Sequence, residues 1–194
     1  MKLIAISQRC DYFPQSSEFR DCLDVNFSPM LGDMGYQPLL IPSRIKNIEY
    51  YLSSFEIHGF ILSGGNNIGE SLQRDQVESV ILSYSKSHKI PLLGICRGMQ
   101  FINHYQGGRL SKTSGHTNVS HVISGELTQN LLIEVNSFHD FGVLSHDLGK
   151  GLIPTAFSDD GVVEAFIHST YPWIGIMWHP ERNQGLSEFD KILI

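Results

Sequence analysis

Gly94-Ile95-Cys96-Arg97-Gly98 places a cysteine between two glycines, and the reading of this stretch decides the fold. Just upstream, Ile90 to Ile95 (IPLLGI) is an apolar run of strand length. Downstream, Arg97 to Tyr105 (RGMQFINHY) repeats apolar residues at helical spacing. Cys96 therefore stands on a strand-to-helix turn. Such a sharp turn needs neighbours without a Cβ, which Gly94 and Gly98 supply, and it holds the sulfur clear of the backbone. The unpaired N–H groups and dipole of the following helix favour thiolate, the nucleophilic form.

Farther along, Trp178-His179-Pro180-Glu181 offers a base and a carboxylate. Trp173 to Trp178 (WIGIMW) reads as a buried strand that delivers His179 at its end, with Pro180 stopping the ladder. Extended geometry around Pro180 would point His179 and Glu181 to one side, so that the carboxylate holds one imidazole nitrogen while the other faces a thiol. Phe60 to Gly65 (FILSGG) reads as a strand opening into paired glycines. There a glycine N–H, with the Arg97 N–H after the cysteine, would form an oxyanion site made of backbone donors.

Four blocks, Gly-Ile-Cys-Arg-Gly-Met-Gln (94 to 100), Leu-Ser-Gly-Gly (62 to 65), Val-Asn-Ser-Phe-His (135 to 139) and Trp-His-Pro-Glu (178 to 181), resemble in order and spacing those of the class I glutamine amidotransferases. The last two look most like the branch of γ-glutamyl hydrolases that removes γ-glutamyl groups from amines. The resemblance implies Cys96 as nucleophile, His179 as acid and base, Glu181 as its orienting carboxylate, and Gly65 and Arg97 as backbone oxyanion donors. It further implies that Gln100, Asn136, Ser137, Phe138 and His139 bind the glutamyl moiety. After Gly65 the family often continues with proline, glycine or aspartate, whereas this chain has Asn66 and Asn67. The implied substrate is a small γ-glutamyl amide, with no cofactor, no metal and no obligatory synthetase partner. A glutaminase subunit of a two-chain amidotransferase, a γ-glutamyl-GABA-type hydrolase and a catalytically silent relative are the competing readings. Intact Cys96, His179 and Glu181 speak against the silent one.

The segments alternate. Strands are expected at Lys2 to Ser7, Pro38 to Pro42, Gly59 to Ser63 and Ile90 to Ile95, with helices near Asn26 to Met34, Ile48 to Phe55 and Gln73 to His88. This is the pattern of an α/β fold with parallel strands and crossover helices. Beyond Gly107-Gly108 the texture turns to strands and loops: Leu131 to Val135, Ile153 to Phe157, Val162 to His168 and Trp173 to Trp178. The expected fold is a flavodoxin-like three-layer α/β fold of the class I glutamine amidotransferase type, its mostly parallel central sheet carrying antiparallel additions.

At 194 residues, 41% hydrophobic and 18% charged, the chain suits one domain, 1–194. A formal charge of −6 without a basic run argues against nucleic acid as a partner. No signal-peptide pattern or membrane-length apolar run is present, which makes the cytoplasm the expected location. Three cysteines without a secretory signal argue against a disulfide framework, and Cys10 and Cys22 lack the glycine setting of Cys96. His116, His121, His139 and His146 could be arranged as metal ligands but match no zinc motif; His121 and His139 could instead line the pocket rim, since both flank segments that the resemblance places near the substrate. Arg9, Arg20, Arg109 and Lys112 are candidate phosphate contacts, with solvated surface as the plainer reading.

Overall fold

The computed structural model describes residues 2–194. It contains two compact units, one running up to Leu92 and resuming at Pro180–Ile194, the other formed by Leu93–His179. Among the described residues, no helix is long and apolar enough to cross a membrane.

The first unit contains β1 (Lys2–Ser7), β2 (Arg9–Phe13), β3 (Glu18–Cys22), α1 (Phe27–Asp33), β4 (Tyr36–Ile41), α2 (Ile48–Ser53), β5 (Ile57–Leu62) and α3 (Leu72–His88), and ends in a short helix, Glu188–Leu193. Strand β1 is central, parallel to β4 from Lys2↔Tyr36 to Ser7↔Ile41 and parallel to β5 from Leu3↔Ile57 to Ile6↔Ile61. Its inner run, Ile4 to Ser7, is buried, as is Phe60 to Leu62 of β5. Parallel neighbours need a crossover of helix length, and the intervening helices provide it. The expected strands and helices here are found with boundary shifts of one or two residues. The β2–β3 hairpin, which pairs Arg9↔Cys22 through Phe13↔Glu18, was not anticipated. Its strands, RCDYF and EFRDC, are largely exposed and carry charges where a core-facing pattern would show apolar residues.

Helix α3 buries Val77, Ile81, Leu82 and Ser85, and among them the ion pair of Arg74 and Glu78 (2.9 Å). The Arg74 guanidinium donates to the Ser63 and Gly65 carbonyls, each at 2.6 Å. Glu78 accepts from the Ser7 hydroxyl (2.7 Å), and Ser7 Oγ in turn accepts from the Ser63 N–H. The glycine loop after β5 is therefore tied by its carbonyls to a buried cation. Removing one partner of such a pair costs about 3–5 kcal/mol. Arg74→Met is expected to lose stability on that scale in urea unfolding; a variant as stable as the wild type would show that the network does not hold the loop.

The second unit is built from β6 (Leu92–Ile95), in which the chain enters it, α4 (Arg97–Tyr105), β7 (Ser111–Lys112), β8 (Thr117–Ser124), β9 (Ile133–Phe138), β10 (Phe141–Gly142), β11 (Leu152–Ser158), β12 (Val163–His168) and β13 (Trp173–Ile176). Its main strands lie in the order β6-β13-β12-β11-β8-β9, and β7 pairs separately with β10. The pairs β13–β12, β12–β11, β11–β8 and β8–β9 are antiparallel, which are the expected additions. Helix α4 matches the expected span and is nearly all buried through Asn103. It packs so closely on β13 that a Cβ at Gly175 would stand 2.8 Å from Met99 Cγ. Strand β8 had no counterpart among the expected strands, because Thr117 to Ser120 is exposed and, apart from Val119, polar.

Candidate active site

Cys96 is the hinge between β6 and α4. Its backbone lies at φ 50° and ψ −105°, a region that a non-glycine residue enters only under strain. The strain is contained by neighbours on both sides. The Cys96 N–H donates to the Ile176 carbonyl of β13 (2.8 Å), and the Cys96 carbonyl accepts the first helical bond from Gln100 (3.0 Å). A Cβ at Gly94 would stand 2.7 Å from the backbone of both Gly98 and Met99, so the turn closes only with glycine there. The Arg97 side chain is buried with its guanidinium over the Phe101 ring at 4.6 Å, which leaves the residue's backbone as its contribution at the turn.

Strand β13 stops at Ile176, two residues earlier than expected. Met177 instead donates its N–H to the Glu164 carbonyl of β12 (2.8 Å). His179 follows, buried, and its backbone is gripped at both ends by the Asn136 side chain. The His179 N–H donates to Asn136 Oδ1 and Asn136 Nδ2 donates to the His179 carbonyl, each at 2.8 Å. The Phe138 ring meets the imidazole edge-on, at 5.8 Å between centroids and 82° between planes. Asn136 and Phe138 point to one face of β9 because strand side chains alternate, so one strand both anchors the histidine backbone and walls its ring.

The extended geometry expected around Pro180 is corrected by the structure: Pro180–Arg182 forms a single 3-10 turn. Proline's fixed φ suits the first position of a helical turn, where the missing N–H has no partner to lose. Glu181 is buried within that turn, and the chain returns to the first unit at Pro180. In the first unit, Gly65 adopts φ +81°, and a Cβ there would stand 3.1 Å from Arg9 Cδ. Asn66 accepts the Cys10 N–H at its Oδ1 (2.9 Å), so this departure from the common family pattern locks the loop to β2.

The second unit thus brings Cys96, Arg97, Gln100, Asn136, Phe138 and His179 onto the β6, α4, β9 and β13 framework. The buried Gln100 donates its side-chain amide to the Phe141 carbonyl (2.7 Å). Ser137 and His139 look elsewhere: Ser137 Oγ donates to the His116 carbonyl (2.7 Å), and the His139 ring turns towards Glu164. Among the proposed phosphate contacts, Arg9 pairs with Asp11 (2.8 Å), Arg20 with Glu18 and Arg109 with Asp147 (3.1 Å). Sequence reasoning missed the side-chain role of Asn136, and it missed Arg74 and Glu164. A carboxylate inside Val162-Val163-Glu164-Ala165-Phe166 was the available signal, since charges are rarely fully buried without a partner.

Three histidines surround that carboxylate. Burial alone would raise the Glu164 pKa, but the imidazoles of His121 and His139 bring it below the ordinary carboxylate value. Burial likewise works against a charged His121, yet Glu164 raises its pKa overall. At Asp160 burial is again opposed, and hydrogen bonds from His116 and Ser158 hold the carboxyl down to about 2.

A cysteine on a strained strand-to-helix turn within an α/β framework is the mount of a nucleophile, and solved structures share the fold. The fold matches a Thermoplasma acidophilum protein provisionally described as a component of GMP synthase, with TM-score 0.73 and 24% identity over 100% of this chain and 90% of that one. It also matches a glutamine amidotransferase from Methylobacillus flagellatus, with TM-score 0.67 and 14% identity over 94% and 71% of the two chains. Residues 2–181 match the model of the Peptidase C26 family, and the chain belongs to that family. It is similar to a gamma-glutamyl-CDP-amidate hydrolase of Campylobacter jejuni, 33% identical over 95% of this chain and 92% of that protein. The chain is a glutamine amidotransferase-like hydrolase of amide bonds.

Proposed function

We propose that this chain hydrolyses a γ-glutamyl amide through a thioester on Cys96, and that residues 1–194 serve this reaction as one cytoplasmic enzyme domain. The observation that carries the reading is the strained Cys96 turn in the unit where Asn136 fixes the His179 backbone. The Cys96 thiolate attacks the δ-carbonyl carbon, and the Gly65 and Arg97 N–H groups stabilise the oxyanion. The C–N bond then breaks, and His179 protonates the departing nitrogen. Water deprotonated by His179 attacks the thioester, releasing glutamate and regenerating the thiolate. Glu181 orients the imidazole and favours its charged form. Gln100, Asn136, Ser137, Phe138 and His139 are the proposed glutamyl-binding set, with Asn136, Ser137 and His139 acting through their backbone.

The similarity to the Campylobacter jejuni hydrolase supports a leaving group of the nucleoside diphosphoramidate type, so that γ-glutamyl-CDP-amidate would yield glutamate and cytidine diphosphoramidate for capsule modification. The test supplies the purified chain, without a partner, with γ-glutamyl-CDP-amidate, a γ-glutamyl alkylamine such as γ-glutamyl-GABA, and glutamine. The expected result is glutamate release from the first at the highest kcat/KM, because contacts remote from the scissile bond add transition-state binding. Equal rates on all three would leave a general γ-glutamyl hydrolase. Activity on glutamine only with a second protein would instead make this a glutaminase subunit.

Asn136 is a positioning residue in this scheme. Asn136→Ala releases both ends of the His179 backbone, and a misplacement near 1 Å is enough to cost about 100-fold in rate. The expected signature is a loss of kcat on that scale with KM changed far less; unchanged kcat would remove Asn136 from the mechanism.

A further inference from the structure

Glu164 is fully buried, and both its oxygens lie among imidazole nitrogens beyond ordinary hydrogen-bond length. His116 Nδ1 is 3.6 Å and His139 Nε2 3.5 Å from Oε1, and His121 Nε2 is 3.3 Å from Oε2. All five of these buried atoms lack a hydrogen-bond partner. Burying a carboxylate without compensation costs several kcal/mol, so this arrangement needs positive charge at its centre.

The far sides of the rings say what kind. His116 Nε2 is 2.9 Å from Asp160 Oδ2, and His139 Nδ1 is 3.0 Å from the Phe141 carbonyl. Both partners are acceptors, so those nitrogens carry the hydrogens in the neutral rings, and the lone pairs of His116 Nδ1 and His139 Nε2 face the Glu164 carboxylate. Acceptors then face acceptors. A carboxylate or carbonyl behind the ring is the usual support of a metal-bound imidazole. The carboxylate–imidazole separations of 3.3–3.6 Å fit as well: ligand atoms about 2.0–2.1 Å from a tetrahedral Zn²⁺ stand about 3.3–3.4 Å apart. Charge-assisted hydrogen bonds between imidazolium and carboxylate would be about 2.7–2.9 Å.

We propose that His116 Nδ1, His121 Nε2 and the Glu164 carboxylate, whose ligand atoms lie within 4.8 Å of one another, bind a divalent transition-metal cation of the Zn²⁺ type, with His139 Nε2 closing the fourth position. Imidazole-rich sets with one carboxylate select such ions over Mg²⁺ or Ca²⁺, which prefer oxygen. Four protein ligands make the site structural. It would cross-link the segment before β8, β8 itself, the end of β9 and β12, beside the β9 residue Asn136 that grips His179. This revises the expectation that these histidines have no metal role. His146 stays outside the cluster, exposed beside Asp147.

The test uses the full chain purified without a polyhistidine tag, stripped with a chelator, and titrated with Zn²⁺ in competition with a chromophoric chelator. The expected result is about one equivalent of Zn²⁺ bound per chain, intense visible absorption of a tetrahedral centre on Co²⁺ substitution, and a Zn²⁺-dependent rise in melting temperature. Glu164→Gln and His121→Gln should each lose stoichiometric binding and the melting shift, while His146→Ala keeps both. His121 is the more accessible ligand, so its variant serves if Glu164→Gln fails to fold. Wild-type uptake below about a tenth of an equivalent would overturn the proposal. Equal uptake by wild type and His121→Gln would overturn it too, since the metal would then be held adventitiously.

Discussion

Cys96→Ala is expected to reduce turnover of a γ-glutamyl amide by about 10⁴-fold or more, with unfolding behaviour close to wild type. The size follows from the chemistry: without the sulfur no thioester forms, and neither oxyanion donors nor imidazole can substitute for the missing covalent step. The fold should survive because the turn depends on main-chain bonds and on Gly94, none of which involves the thiol. Labelling with a diazoketone analogue of glutamine supplies an independent readout. Cys96 should react faster than Cys10 or Cys22, and added substrate should slow it. Burial and the neighbouring Asp11 push the Cys22 thiol pKa up, which leaves less thiolate there to compete. Near wild-type turnover by folded Cys96→Ala, or equal labelling of the three cysteines, would end the covalent mechanism.

The second large effect is expected at His179. His179→Ala should lower kcat nearly as far as loss of the cysteine, because residues of a catalytic set act as a unit and their losses do not add. The double variant with Cys96→Ala should therefore be scarcely slower than Cys96→Ala alone. Glu181→Gln should cost less, since Asn136 holds the His179 backbone whatever the charge at Glu181. A multiplicative loss in the double variant would show that the two residues act in separate steps.

The nucleotide substrate proposed from the Campylobacter jejuni relative carries a diphosphate. Arg9, Arg20 and Arg109 each already face a carboxylate. A diphosphate bound there would have to compete with that carboxylate, which makes charge-neutralising variants at these three positions, together with Lys112, an informative series on the nucleotide substrate.

By itself, the sequence determined the local grammar. Gly94 and Gly98 around Cys96, apolar strand-length runs and helical spacing announced an α/β chain with a nucleophile turn, because backbone sterics and hydrophobic periodicity act over a few residues. Strands whose partners are polar or exposed, β2, β3 and the start of β8, carried no such signature. The turn at Pro180 was legible only in part, since proline both ends strands and opens helical turns. What the tertiary structure alone decided was partnership across long stretches of chain: Asn136 on the His179 backbone, Arg74 under the Ser63 and Gly65 carbonyls, and three histidines around Glu164. The physical reason is that a buried polar group must find its partner through the packing of whole strands and helices, and no spacing along the chain encodes which residue that partner will be.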